Sequence, residues 1–264
     1  MKTVTAVLPR DCESLELHTF ADWHIGDKFC IMDEIKKQVD YVKDHPNAYI
    51  ILNGDLLNNA TKTSVSDTYA EQLTPMQQIS TAVELLRPVK DKILFADSGN
   101  HEARTYRTDG IDITAFIMKE LGIESRYCRE GGLLFIKVGE SSKVRNTNDN
   151  SKKSQILYSI YITHGSGGGR KEGAKAIRLA DMASIVDADI YIHSHTHLPM
   201  IMKMASYRTD MSNCSVKKVD KLFVNTAAKL DYGGYGQTFE FKPASTAEVV
   251  IRLSGTHKGF SANL

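Results

Sequence analysis

"YIHSHTHLP" (residues 191–199) carries three of the chain's nine histidines at alternate positions, His193, His195 and His197. Side chains two residues apart in an extended segment share one face, where imidazole nitrogens can converge on one cation. An isolated histidine near a strand end is more often a half-buried, hydrogen-bonded residue than a ligand. Three in alternation shift that balance towards a metal site. The run does not say which metal fold holds it, so its partners have to come from elsewhere in the chain.

Outward from this stretch, apolar runs bounded by turn residues predict strands at 15–21, 48–54, 92–99, 133–139, 156–165, 189–194, 221–227 and 248–253. Helical spacing appears between several of them. Ile31, Ile35, Val39 and Val42 fall on one face, as do Met76, Ile79, Val83 and Leu86, with Pro75 suited to a first turn. A third helix is expected after Asp109 and a fourth over about 172–186. The order predicts an α/β fold, a layered sandwich of mixed β-sheets flanked by helices, with one domain spanning residues 1–264. "ESSKVRNTNDNSKKS" (140–154) is nearly devoid of apolar residues and reads as a long, mobile hairpin tip. The stretch 203–220, with "SYRTDMSNCSVKK", reads the same way.

Composition bounds the function. Of 264 residues, 42% are hydrophobic and 25% charged, enough for a sizeable core. Lys and Arg total 33 against 32 Asp and Glu, so no global basic field marks a nucleic-acid partner, although a local patch is compatible with one. The four cysteines, Cys12, Cys30, Cys128 and Cys214, form no CxxC pair, which argues against a zinc knuckle or disulfide framework and favours a reducing compartment. No apolar stretch approaches the ~18 residues of a membrane span, and "MKTVTAVLPRDCESLEL" lacks an apolar signal core. A cytoplasmic protein without membrane attachment is the expectation.

Open α/β folds gather ligands at the carboxyl ends of strands. There the first predicted strand offers Asp22 and His24 ("ADWHIGD"), the second Asp55 ("NGDLLNN"), the third Asn100 and His101 ("SGNHEAR") and the fifth His164 ("THGSGG"). Each fragment alone is equally well explained as a cap or turn. Together they bring oxygen and nitrogen ligands to successive strand ends, and the histidine run closes the set.

The ordered series Asp22-x-His24, Gly54-Asp55-x-x-Asn58, Gly99-Asn100-His101-Glu102, His164 and His195-x-His197 resembles the calcineurin-like metallophosphoesterases, whose signature reads DxH, GDxxN, GNH[DE], H and GHxH. Ser194 departs from it, standing where the family usually has glycine. The resemblance implies two divalent ions, with Asp55 bridging them, Asp22, His24 and His197 completing one site and Asn100, His164 and His195 the other. Two metals about 3.5–4 Å apart supply a nucleophile at neutral pH and neutralise phosphoryl charge. Mixed carboxylate, amide and imidazole ligands suit Mn, Fe or Zn, and Mn is the working choice. By the same resemblance a metal-bound hydroxide attacks phosphorus and His101, a non-ligand, protonates the leaving oxygen. Glu102 orients it or supports the ligands from behind. His193 lies before the motif and is expected to be structural, like His18, His45 and His257.

Competing readings fail on the same letters. A metallo-β-lactamase needs HxHxDH, which neither His193 nor His195 begins. A Ser/Thr phosphoprotein phosphatase needs GDxVDRG where this chain has "GDLLNNA", and "GSGGGRKEGAK" (165–175) lacks the ending of a Walker loop. For substrate, Arg104 and Arg107 after "GNHE", and Arg170 or Lys171 beside His164, are candidate phosphate contacts, and the two tyrosines of "DYGGYGQ" (231–237) are candidate stacking groups. Compact prokaryotic and phage members of the superfamily include nucleases of the SbcD group. A DNA phosphodiesterase is therefore the leading expectation, with a phosphoesterase for nucleotides or other small phosphate esters as the alternative, and a metal-bound scaffold without activity as the third. A homodimer is compatible with the sequence but nothing in it requires one.

Overall fold

The computed structural model describes all residues except 63, 65–67, 142–153, 168 and 170. Eleven strands form two mixed sheets, and the apolar runs read in the sequence account for eight of them. The first sheet has the order β1 (Lys2–Val7), β5 (Gly132–Val138), β6 (Ile156–Thr163), β7 (Ile190–His193), β9 (Ser215–Asn225), β8 (Met200–Asp210). The second runs β11 (Phe260–Asn263), β10 (Val250–Ser254), β2 (Ser14–Phe20), β3 (Ala48–Asn53), β4 (Ile93–Asp97). Within them β2, β3 and β4 are mutually parallel, as are β6, β7 and β9, so two sets of carboxyl ends can meet at one rim.

Alternation places the core. Leu15 and Leu17 of β2 and Ile51 of β3 point between the sheets, where they meet Leu134, Ile136, Ile160, Ile192 and Val224. The opposite face of β3, Ala48, Ile50 and Leu52, packs under helices α1 (Met32–Asp44), α2 (Pro75–Leu86) and α4 (Ile113–Leu121). These strands are buried on both faces, which is why they read as near-continuous apolar runs. Helix α2 begins with Pro75 behind a capping box of Thr74 and Gln77, so its missing N–H falls where no helical partner exists. The outer face of the first sheet, Tyr161, Tyr191 and Phe223, is covered by Leu179 of α5 (Glu172–Asp181) and by Met182. The architecture is the helix-flanked sandwich of mixed sheets that the sequence predicts.

Three differences from the sequence reading have local causes. The segment 203–220 is not a mobile tip but most of an antiparallel ribbon, β8 paired with β9 from Met200–Asn225 to Asp210–Ser215. Its outer half is exposed on both faces, so no apolar alternation marks it, and Lys203–Asp220 and Lys217–Asp210 pairs decorate it. Short edge strands β1 and β11 do pack one face on the core, through Val4 and Ala6 and through Phe260 and Ala262, but each alternation is too short to form an apolar run. Helix α3 (Glu102–Asp109) precedes the helix expected after Asp109, its polar sequence hiding it. The expected tip at 140–154 falls almost wholly outside the described residues. No helix among the described residues is long and apolar enough to cross a membrane.

Candidate metal centre

The carboxyl ends of β2, β3, β4, β6 and β7 deliver Asp22 and His24, Asp55, Asn100 and His101, His164, and His195 and His197 to one rim. Five of the seven predicted ligands hold a left-handed backbone: Asp22 (φ 50°), His24 (50°), Asp55 (51°), His195 (65°) and His197 (54°). Such angles are uncommon for residues other than glycine and collect at functional sites, where the surrounding structure enforces them. Gly99 is required for a different reason. A Cβ there would lie 2.0 Å from Asp55 Oδ1, so only glycine lets the β4 loop close over that carboxylate.

Side chains from different loops converge in three groups of potential metal-binding atoms: Asp22, His24 and His197; His24, Asp55 and His101; and Asp55, His164 and His195. His197 Nε2 lies 3.3 Å from Asp22 Oδ1 and 3.3 Å from His24 Nε2. His164 Nε2 lies 3.2 Å from both Asp55 Oδ2 and Asn100 Oδ1. These are the spacings of neighbouring atoms each about 2.0–2.2 Å from a shared ion. Each aspartate commits one oxygen to the backbone and leaves the other to the centre. Asp22 Oδ2 accepts the His195 N–H at 3.1 Å while buried Oδ1 has no hydrogen-bond partner, and Asp55 Oδ1 accepts the His101 N–H at 2.8 Å while Oδ2 faces the imidazoles. An orphaned carboxylate oxygen among converging imidazole nitrogens fits a divalent cation, and the residues present fit a metal pair.

The electrostatics agree. Burial raises the Asp55 carboxyl, but His164, His101 and His24 outweigh it and hold it well below the carboxylate range. Burial lowers His164, yet Asp55 lifts it well above the usual imidazole value. Burial and neighbouring imidazoles push His24 well down, and burial with His164 brings His195 to about 4, so both are neutral, the form that ligates.

Behind the rim, His164 Nδ1 donates to the Asn53 carbonyl at 2.8 Å, and its backbone N–H donates to Asp97, fixing the ring with Nε2 inward. Glu102 does not touch the His101 ring. It accepts the N–H groups of Asp55, Leu57 and Gly99 at 2.9–3.0 Å and so ties the β3 and β4 loops together. Lys175 Nζ donates to the carbonyl of Thr196, between His195 and His197, at 2.8 Å. Ser194 is fully buried, its hydroxyl accepting from Asn53 Nδ2 at 2.6 Å and Thr226 Oγ1 at 2.8 Å. Asn53, Asp97, Lys175 and Thr226 carried no recognisable motif in the sequence.

His101 stands just before α3, beside these groups. Its Nδ1 bonds the Asn58 carbonyl at 2.7 Å, and its Nε2 lies 3.9 Å from Asp55 Oδ2 and 3.0 Å from Arg104 Nη2. Arg104 also donates to the Asn58 carbonyl at 3.0 Å, so it lies at the site; Arg107 is exposed on the same helix. His193 belongs to none of the three groups; it is buried, bonded through Nδ1 to Asn225 Oδ1 at 2.8 Å and packed against Gly165. Arg170 lies outside the described residues. Tyr232 is exposed on a loop whose Gly233 packs against Phe29.

The calcineurin-like phosphoesterase profile matches residues 18–199, and the chain belongs to that family. Membership makes it a phosphoric ester hydrolase by class and a binder of divalent metal. No curated protein matches its sequence. Among solved structures, a predicted phosphoesterase from Streptococcus pneumoniae aligns at 13% identity and TM-score 0.37, covering 94% of this chain and 88% of that one. A single mutant of Vps29 from Entamoeba histolytica aligns at 12% identity and TM-score 0.43, covering 91% and 87%. GAP50 of Plasmodium aligns at 11% identity and TM-score 0.39, covering 94% and 83%.

Proposed function

We propose that this chain is a two-metal phosphodiesterase acting on nucleic acid, DNA first among the candidates. The observation that supports it is the pair of buried aspartates that each give one oxygen to a backbone N–H and turn the other, Asp22 Oδ1 and Asp55 Oδ2, towards imidazole nitrogens. In this reading Asp55 bridges, Asp22, His24 and His197 hold one ion, and Asn100, His164 and His195 hold the other. Bound Mn, Fe or Zn would lower the pKa of water and neutralise charge on the phosphoryl oxygens.

The remaining roles belong to the chain. His101 is the proton donor to the leaving oxygen. Because Nδ1 is tied to the Asn58 carbonyl, Nε2 is the atom that exchanges the proton: once a phosphate oxygen draws the Arg104 guanidinium away, Nε2 takes up a proton from solvent and passes it to the leaving oxygen. Arg104 then holds the substrate phosphate. The missing Asp-Arg pair of the protein phosphatases favours diesters over phosphoproteins.

Purified protein loaded with Mn is assayed in parallel on bis-p-nitrophenyl phosphate, p-nitrophenyl phosphate, a phosphoserine peptide and single- and double-stranded DNA. Two ions per chain, loss of activity with chelator and preference for diesters are expected. At most one ion at saturating Mn removes the two-metal reading, and preference for p-nitrophenyl phosphate or the peptide removes the diesterase reading.

A further inference from the structure

A second feature of the rim has no role in the scheme above. The Arg129 guanidinium lies flat over the Tyr106 ring, 3.1 Å from its centroid, with Nε 3.8 Å from the Asp112 carboxylate that also accepts the Tyr127 hydroxyl. Cation–π pairs operate within about 6 Å of the ring, so this is a close one, yet neither partner is buried: Tyr106 is 38% exposed and the Arg129 side chain 34%.

Its position is tied to the site at three points. Tyr106 belongs to α3, the helix that starts immediately after His101, and five residues of helix place it roughly 7.5 Å further along the axis. The Arg129 carbonyl accepts the N–H of Ser98, two residues before Asn100. Gly131 is pressed against the strand that ends in His164, so closely that a Cβ would come within 2.4 Å of the Ile162 carbonyl and 3.0 Å of Thr163 Cα. Arg129 also borders a cleft of about 510 Å³, walled by Lys2, Glu130, Gly131, Gly132 and Tyr161, within the size range of small-molecule sites. Arg104, on the same helix as Tyr106, lies against His101 at 3.0 Å.

We infer that the Arg129–Tyr106 stack and its cleft bind the nucleoside flanking the scissile phosphate, its base lying on the guanidinium. The inference rests on the diesterase reading and names its specificity element. An arginine plane carries a base face to face, and an aromatic ring below it holds the plane rigid, so stacking is tolerant of base identity. The ligand class is a single-stranded nucleotide segment.

Two substrates that release the same nitrophenolate isolate the flanking group: thymidine 5′-(p-nitrophenyl phosphate) and methyl p-nitrophenyl phosphate. Arg129→Ala and Tyr106→Ala are expected to lower the ratio of their kcat/KM values about tenfold, through KM for the thymidine ester, with the methyl ester unaffected. Independently, anisotropy of a fluorescein-labelled oligothymidylate, with chelator present to prevent cleavage, is expected to give a Kd about tenfold higher for both alanine variants. An unchanged ratio or an unchanged Kd in Arg129→Ala overturns the inference, as does a wild-type protein that does not bind the oligonucleotide. A wild-type protein that cleaves neither diester instead removes the diesterase reading, and the Kd series still decides the stack.

Discussion

The second sheet carries two clusters of histidine and carboxylate, one in the middle of β2 with half-buried glutamates and one past its end with fully buried aspartates. In the middle, His18 bonds Glu248 at 3.0 Å through Nδ1 and lies 3.7 Å from Glu16 through Nε2. Glu16 in turn accepts the Tyr41 hydroxyl at 2.8 Å and is gripped by Arg252 at 2.9 Å. Past the end, Asp22 and Asp55 are met by imidazoles and backbone N–H groups. The residue types are alike and the consequence differs. In the first cluster a guanidinium attached to the chain answers Glu16; in the second, Asp22 Oδ1 has no hydrogen-bond partner among the described residues, while Asp55 Oδ2 is met by His164 at 3.2 Å. Residue composition therefore does not mark a metal centre. What marks a candidate centre is an orphaned carboxylate oxygen set among imidazole nitrogens from several loops, as Asp22 Oδ1 is beside His24 and His197.

The largest effect that could break this contrast is at the bridge. Asp55→Asn removes the shared charge, and metal content is expected to fall below two ions per chain with activity on nitrophenyl diesters and DNA lost together. The matched change, His18→Gln, leaves both quantities at wild-type level. Elemental analysis beside rate measurement checks the pair, and metal loss in His18→Gln would erase the distinction.

A smaller effect separates ligands from the proposed acid within the second cluster. His101→Ala is expected to keep both metals while slowing DNA cleavage about 10²–10⁴-fold. Nitrophenolate departs with little need of a proton, so the defect on a nitrophenyl diester is smaller. Equal defects on both substrates, or loss of metal, would make His101 a ligand instead.

The smallest effect concerns the self-sufficient cluster. Burial raises Glu16, but the Tyr41 hydroxyl and Arg252 outweigh it and set the group below its ordinary value. A carboxyl whose folded pKa is depressed stabilises above its unfolded pKa, about 4.3, and that stability is lost as pH falls through the folded value. Arg252→Ala is therefore expected to cost no more than about 1 kcal/mol at neutral pH, since Arg252 is half exposed, and less in acid. Denaturant melts of both proteins at pH 7 and pH 3 measure it; a penalty that grows in acid would mean that the pair is not what lowers Glu16.

The contrast also explains what could be read in advance. Strands β2, β3 and β4 were legible because both faces are buried, and the ligands because strand ends concentrate them in short spacings. The outer ribbon of β8 and β9 was not, since an exposed strand lacks the alternation that burial imposes, and the alternation of β1 and β11 is too short to stand out. Asp97 illustrates the limit for the site. It holds the His164 loop through a backbone N–H, and a bond to backbone leaves no trace in the partner's residue type. The Arg129–Tyr106 stack is equally silent, because its halves come from segments 23 residues apart in number and meet only in the fold.

Ser194 stands where the family signature places glycine, and its hydroxyl makes the substitution mechanical. It receives Asn53 from β3 in one sheet and Thr226, which follows β9, in the other, and Thr226 reaches on to Asp22 at 3.5 Å. The two leaves of the sandwich are thus buttoned together at the rim through the atoms that set ligand spacing. Cations bound there would act as rivets between the leaves, and by mass action whatever held the rivets tighter would also hold the sandwich shut.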